Sequence, residues 1–563
     1  MKTLRIALAQ INPTVGDLKG NSDKIIEYIE KAKTQSSDMV VFPELAITGY
    51  PPDDLLLNKN FIKDVQSRLD YLASSTTNIV TIVGFPHLLK NKLYNAAGIF
   101  ADRKLINTYH KRYLARSSVF DDTKYFDSGS SFPVFIFDGI NFQVLFGNEI
   151  NRLGNGAALN VNNASSLIVC IDASCYCIDK IKEQEDEIAS IALRHNRRIA
   201  YLNLVGGQDE WVFHGNSFIV DEKGRIVAKC QLFKENLILF DIEPVDNLTT
   251  KTNPESEKIS ITAELKNKTE KIQNKSVNPA ESLEEIYNAL VLGTKDYVKK
   301  NGFDRVVLGL SGGIDSALVA VIAMEALGEK HVTGVSMPTR FTSEESKTDA
   351  REASSSLNIN FIEISIDKLY DDYLAMFGSI FETHPAAQLT KENIQPRIRA
   401  NILMALSNNF GWLVLTTGNK SEVGTGYSTL YGDTAGAFAV IKDVPKTLVY
   451  ELSRWINKKA CRQMIPERIL TKAPSAELKH DQKDTDTLPP YELLDPVIKA
   501  HIEDSKTVEE IIDMGYAPEL IKKIIRMITI NEYKRKQSPP GIKITKASFG
   551  KDRNFPVTNR YEY

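Results

Sequence analysis

The chain has 563 residues, of which 42% are hydrophobic and 25% charged, and its formal net charge is -3. That length favours two or more domains, and the composition is that of a folded protein rather than a disordered one. The near-neutral balance supplies no global basic field for nucleic acid or an anionic membrane, so an anionic small substrate would have to be met by local basic groups.

Residues 1–10 alternate like a strand and lack the long apolar region and cleavage site of a signal peptide. No stretch of 18 apolar residues is present, so no membrane-spanning helix is expected. Residues 1–242 read as a layered α/β domain. Strands are predicted at 5–10, 39–41, 79–84, 144–146, 166–171, 199–204 and 218–220, and helical periodicity at 19–33, 64–73 and 183–195. Residues 243–281, rich in Lys, Glu, Asn, Thr and Ser, read as an exposed polar connector. Ser282 and Glu285, three apart, have the spacing of a capping box, which predicts a helix through about Asn301. Residues 282–563 form the second domain. Its strands, at 305–310, 331–337, 360–365 and 412–416, alternate with helices at 315–327, 343–357 and 396–409. That interleaving predicts a doubly wound parallel sheet, whose ligands bind beyond the carboxyl ends of the strands.

Cysteines stand at 170, 175, 177, 230 and 461. The Cys175-Tyr176-Cys177 pair has no second pair or nearby histidine to complete a metal site, so the thiols read as reduced, in a cytoplasmic protein.

The most informative segment is Ser311-Gly312-Gly313-Ile314-Asp315-Ser316, directly after a buried apolar strand. Glycines let backbone N–H groups approach a polyanion, and a helix N-terminus adds partial positive charge. Ser311 and Ser316 can donate to phosphate oxygens, and Asp315 can hold Mg²⁺ bridging them. A bland alternative makes Asp315 a helix N-cap after a tight turn. No GxxxxGK[ST] loop is present. The string resembles the pyrophosphate loop of the N-type ATP pyrophosphatases, which implies ATP cleavage to AMP and pyrophosphate.

Further strings narrow the resemblance. They are Met337-Pro338-Thr339-Arg340, Arg397-Ile398-Arg399-Ala400-Asn401, Thr416-Thr417-Gly418-Asn419-Lys420-Ser421-Glu422, Tyr431-Gly432-Asp433, Lys442-Asp443-Val444-Pro445-Lys446, Ala473-Pro474-Ser475-Ala476-Glu477 and Asn531-Glu532-Tyr533-Lys534. Over roughly 285–556 the chain resembles the synthetase domain of glutamine-dependent NAD synthetases, with an adenine nucleotide alpha hydrolase-like fold. The resemblance implies that Gly309, Leu310, Ser311, Gly312, Gly313, Ile314, Asp315 and Ser316 wrap the ATP phosphates. Thr417, Lys446 and Ser475 would also contact ATP, and Asp315 and Glu422 would bind Mg²⁺. Asn393, Glu422, Tyr427, Ser428, Thr429, Leu430, Asp433 and Lys534 would line the deamido-NAD site. The implied reaction adenylates the nicotinate carboxylate of deamido-NAD, and ammonia then displaces AMP. Other N-type pyrophosphatases, the GMP and asparagine synthetases, and a decayed nucleotide-binding scaffold are the alternatives.

In the first half, Phe42-Pro43-Glu44-Leu45, Tyr109-His110-Lys111-Arg112, Val205-Gly206-Gly207-Gln208-Asp209 and Gly215-Asn216-Ser217 look like a nitrilase-family amidase domain, an α-β-β-α sandwich. That family hydrolyses glutamine with a Glu–Lys–Cys triad. Glu44 and Lys111 match two members, and Ser174 and Lys180 match glutamine-binding positions. In Val144-Leu145-Phe146-Gly147-Asn148-Glu149, Gly147 takes the place of the nucleophile. Two further departures are Ser117, where the family has tyrosine, and Cys175, where it has proline. Two readings follow: a degenerate amidase beside a synthetase fed by free ammonia, or glutamine hydrolysis by another nucleophile, for which Cys175 is the best placed. The relatives also imply a homo-oligomer.

Overall fold

The computed structural model describes residues 3–116, 119–154, 165–243, 257–268, 270, 272, 280–381 and 387–561. Ser117 lies outside them. The chain divides into two units, residues 1–208 with 212–280, and residues 209–211 with 281–563.

In the first unit, a six-stranded sheet is built from β1 (Leu4–Gln10), β2 (Met39–Val41), β3 (Val80–Leu89), β4 (Lys92–Ala101), β5 (Lys104–His110) and a late strand, Asn236–Ile242, in the order late strand-β1-β2-β3-β4-β5. A second sheet holds β6 (Val134–Phe137), β7 (Ile140–Phe146), β8 (Leu167–Asp172) and β9 (Arg198–Asn203), running antiparallel between β6 and β7 and parallel from β7 to β9. Strands alternate their side chains between two faces. Leu4, Ile6 and Leu8 therefore point into a core shared with Phe142, Val144, Leu167 and Val169 of the second sheet. Ala7 and Ala9 face the other way, under α1 (Leu18–Thr34) and α2 (Lys59–Ser74). On the far side Leu145, Ile168 and Cys170 are covered by α4, Lys180–His195, while the short α3, Gly147–Gly154, starts where β7 ends. This is the expected α-β-β-α sandwich.

Two differences have physical causes. The β3–β4–β5 meander extends beyond the strand predicted at 79–84, because its two-residue turns use Lys90-Asn91 and Asp102-Arg103, all at positive φ, instead of the glycine turns that mark hairpins. Within the stretch read as an exposed connector, Lys258–Ile261 forms a strand parallel to β6, and Leu265 is buried in the core between the sheets. Polar composition hid it, since this edge strand exposes alternate residues.

The second unit opens on α5, Ser282–Lys300, with Glu281 as its N-cap; the expected side-chain box from Ser282 is absent, because Ser282 is already inside the first turn. A five-stranded parallel sheet follows. Its strands are β10 (Val306–Gly309), β11 (Val332–Ser336), β12 (Asn360–Glu363), β13 (Leu413–Thr416) and β14 (Phe438–Ala439), in the order β12-β11-β10-β13-β14. The chain winds outward from β10 to β12 and returns to β13 on the other side of β10. The loops leaving β10 and β13 therefore diverge, which makes a crevice at the switch point. The helix predicted at 396–409 spans Ala387–Phe410 and carries Pro396 inside it. Proline removes one backbone bond, yet its φ suits a helix.

Candidate functional site

Leu308 of β10 pairs with Leu415 of β13, so the segments after them leave the sheet side by side. After β10 the chain turns through Ser311, Gly312 and Gly313 into α6, Ile314–Leu327. Gly312 has a φ of +82°, and a Cβ there would lie 2.2 Å from the Ser346 carbonyl oxygen, so only glycine fits. Gly313 is the N-cap and no side chain caps the first turn, so the N–H groups at the start of α6 have no side-chain partner from the cap. Asp315 is therefore not a cap, as the bland reading had it. Ser316 Oγ donates to the Gly313 carbonyl at 2.9 Å, and Ser311 Oγ accepts the Gly313 N–H at 3.2 Å, so the two serines hold the loop's shape.

Asp315 turns toward the loop that follows β13. Asn419 Nδ2 donates to its Oδ1 at 2.9 Å, and the buried Lys446 ammonium binds its Oδ2. Asn419 also caps α7, Lys420–Thr425, in a reciprocal box with Glu422. That box sets Glu422 Oε1 3.5 Å from Lys446 Nζ. Burial, and then the charge of Asp315, push the Glu422 carboxyl up to about 8. Burial works against the Lys446 charge, but Asp315 and Glu422 outweigh it and raise its pKa. Thr417 follows β13 directly. Ser475 lies farther along the chain, donating to the Gln482 carbonyl at 2.6 Å and accepting from Glu477 N–H at 3.1 Å.

Asp315 and Glu422 fit a magnesium ion. Two carboxylates converge on one cation, and Mg²⁺ is commonly held by one or two carboxylates with substrate phosphates and water completing its shell.

The helix of Glu422 ends at Gly426, from which the other predicted residues emerge. Asp433 accepts the Thr429 N–H at 2.6 Å, and Thr429 Oγ1 donates to Asn393 Oδ1 at 2.9 Å. Lys534 Nζ donates to the Gly426 and Ser428 carbonyls, both at 2.8 Å. Asn393, Thr429, Asp433 and Lys534 thus hold the 426–433 loop, which carries Tyr427 and Leu430, as one assembly. Asn419 and Lys472 are functional candidates that residue types alone did not single out. Lys472 is bound to Ser346, against which the phosphate loop packs, and lies 3.0 Å from Glu477. Its signal was its place just before Ala473-Pro474-Ser475.

In the first unit, Glu44 follows β2 and Lys111 follows β5. Lys111 Nζ sits 2.7 Å from Glu44 Oε1 and 2.8 Å from Asp122 Oδ2, and all three side chains are buried. Asn95 Nδ2 donates to Glu44 at 2.7 Å. Burial pushes Glu44 up to about 7; Lys111 opposes the shift, while Asp122 and Asp172 add to it. Burial acts against the charge of Lys111, yet Glu44 and Asp122 hold its pKa above the ordinary range. The Tyr50 phenol is raised by burial first and then by the nearby Glu44 and Asp122 carboxyls. Ser174 N–H donates to Asn203 Oδ1 at 2.8 Å, and Lys180 Nζ donates to the Cys175 carbonyl at 2.9 Å.

Gly147 comes immediately after β7. Asp172 ends β8, and the two are neighbours across the parallel pair. A Cβ on Gly147 would lie 2.0 Å from Asp172 Cγ. Two residues on, the buried Glu149 accepts the N–H groups of Arg112 at 2.8 Å and Phe146 at 2.9 Å, and the Tyr109 hydroxyl at 2.9 Å. It ties the segment of Lys111 to the end of β7. Asp122 and Asn95 lie in no motif string, whereas Glu149 and Asp172 lie in the strings around Gly147 and Ser174, where residue type gave them no role.

Comparison with known proteins gives matching results for both halves. Residues 5–247 match the carbon-nitrogen hydrolase family model, and residues 286–538 match the NAD synthase model. The chain is 42% identical to the glutamine-dependent NAD(+) synthetase of Thermotoga maritima, with 100% of each chain covered, and 38% identical to that of Acinetobacter baylyi, with 99% of each covered. Among solved structures it is similar to the glutamine-dependent NAD+ synthetase of Acinetobacter baumannii in complex with ADP, at a TM-score of 0.74 and 34% identity over 99% of both chains. The synthetase of Cytophaga hutchinsonii, at a TM-score of 0.81 and 22% identity over 99% of this chain and 98% of that one, shares the fold.

Proposed function

This chain belongs to the glutamine-dependent NAD(+) synthetase family, and from that premise we propose how its two units divide the reaction. The chain is a carbon–nitrogen ligase that amidates deamido-NAD at the expense of ATP. In our reading the phosphate loop and the uncapped start of α6 receive the ATP phosphates, and Lys446 supplies a compact positive charge beside them. Asp315 and Glu422 would hold Mg²⁺, which when bound offsets the phosphate charge. The Asn393–Thr429–Asp433–Lys534 assembly would position deamido-NAD. Its nicotinate carboxylate then attacks the α-phosphorus, pyrophosphate leaves, and ammonia displaces AMP from the acyl adenylate. The observation that carries this is the convergence of Asp315, Asn419, Glu422 and Lys446 beside the phosphate loop at the switch point. A fixed array of charges aimed at a developing polyphosphate charge is what adenylation needs.

For the first unit, we read the nucleophile's place as Gly147, so that Glu44 and Lys111 remain without a thiol to activate. The nitrogen then comes from ammonia. The test supplies deamido-NAD and Mg-ATP with either ammonium or glutamine and measures NAD and AMP. NAD with ammonium and none with glutamine is the expected result; robust turnover with glutamine would falsify the ammonia reading.

A second reading rests on Cys175, which follows Ser174 and whose carbonyl accepts from Lys180 Nζ at 2.9 Å. In it Cys175 attacks glutamine, and Cys175→Ser abolishes glutamine-dependent turnover while sparing that with ammonium. The five free cysteines and nucleotide substrates suit the cytoplasm. Among the described residues no helix is long and apolar enough to cross a membrane.

A further inference from the structure

Gly147 and Asp172 stand side by side because β7 and β8 pair in parallel with Phe146 opposite Ile171, which makes the next two residues neighbours at the carboxyl ends. A Cβ at position 147 would meet Asp172 Cγ at 2.0 Å, Oδ1 at 2.1 Å and Oδ2 at 2.2 Å. No heavy atoms pack that closely, so the carboxylate occupies the volume of any side chain there. The backbone of Gly147 is not the obstacle: it begins α3 and is not in the left-handed region.

The carboxylate is also pinned. Its Oδ2 accepts the Tyr201 hydroxyl at 2.5 Å, and its Oδ1 accepts the Ala173 N–H at 2.8 Å. Tyr201 is fully buried, and its oxygen accepts from Gln184 Nε2 at 2.5 Å. Moving Asp172 aside would leave a buried hydroxyl without its acceptor, which costs more than a surface rotamer change. Lys111 Nζ lies 5.2 Å from the centroid of the Phe146 ring, and Phe146 directly precedes Gly147, so the plug is near the Glu44–Lys111 pair.

We propose that Asp172 is a specificity-determining residue: it fills the space of a side chain at 147 and closes the amidase centre to glutamine, so that Gly147 and Asp172 are a coupled pair and restoring residue 147 alone cannot reopen the centre. This rests on the reading of Gly147 as the nucleophile's place.

The test is a double-mutant cycle in the full-length protein with Gly147→Ala, Asp172→Ala and the combination, reading the thermal midpoint of the first unit. Gly147→Ala adds only the clashing methyl and should lower the midpoint by several degrees. In the Asp172→Ala background the same substitution should cost little. Where Gly147→Ala fails to yield folded protein, its recovery in the double variant reads the same coupling. Asp172→Ser serves as a second background in case Asp172→Ala does not fold. Equal losses in both backgrounds overturn the plug. Each protein is also assayed with ammonium and with glutamine. Glutamine-dependent turnover in the unmutated protein sinks the ammonia reading whatever the cycle shows, whereas ammonium-only turnover with an additive cycle sinks the plug alone.

Discussion

Lys446 Nζ lies 3.5 Å from Glu422 Oε1 while bound to Asp315, so one buried ammonium answers two carboxylates that come from opposite sides of the switch point. In the free protein it offsets their repulsion, and in the proposed function the same charge would face the phosphates of bound nucleotide.

Lys446→Met should therefore lower deamido-NAD-dependent pyrophosphate release by about 100-fold or more, the scale on which a single aligned electrostatic group acts in a transition state. Lys446→Arg should not restore it, since a planar fork cannot replace a point charge in the same buried space. Steady-state pyrophosphate assays on both variants check this.

Asp315→Asn keeps an oxygen to accept from Asn419 and removes the charge that pairs with Lys446 and that the proposed metal would need. Pyrophosphate release should disappear while the thermal midpoint stays within a few degrees. Turnover that survives would remove Asp315 from the metal site.

Glu44 keeps its proton in the folded state up to about pH 7, against an ordinary value of 4.5. Between those values the folded chain binds a proton that the unfolded chain has released, so the stability contributed by this group falls as pH rises across that window. Glu44→Gln should remove that slope. Urea unfolding from pH 4.5 to 8 should show the wild-type stability, measured relative to the variant, declining with pH; a constant difference would contradict the buried, proton-holding carboxyl.

Glu149 accepts three backbone N–H groups, of Arg112, Tyr113 and Phe146, and a tyrosine hydroxyl in a buried position. Glu149→Ala strands those four donors and should destabilise the first unit by about 4 kcal/mol or more, at roughly 1–3 kcal/mol for each buried group left unpaired. Ammonium-dependent synthesis measured at low temperature should be affected less than stability, because the synthetase strings lie in the other unit.

The string Asn419-Lys420-Ser421-Glu422 and the string Val444-Pro445-Lys446 each supply a buried lysine, and residue type could not separate their roles. Lys420 Nζ is taken up by Asp443 at 2.9 Å and Glu503 at 2.6 Å, as a structural anchor. Lys446 faces Asp315 and Glu422 instead. Asn419 proves to be a helix cap three residues before Glu422, and its second bond, to Asp315, has no local signal at all.

The sequence by itself determined what depends on a few consecutive residues. An apolar strand, a Ser-Gly-Gly turn and a helix starting at Ile314 follow from backbone sterics and side-chain period, and the absence of a thiol at Gly147 is a matter of composition. Only the tertiary structure decided which residues stand next to one another across strands. Asp172 beside Gly147, Glu149 against the Arg112 N–H and Lys446 against Asp315 are set by sheet register and by crossovers spanning many residues. Register is fixed by the burial of whole faces, and no local string records it.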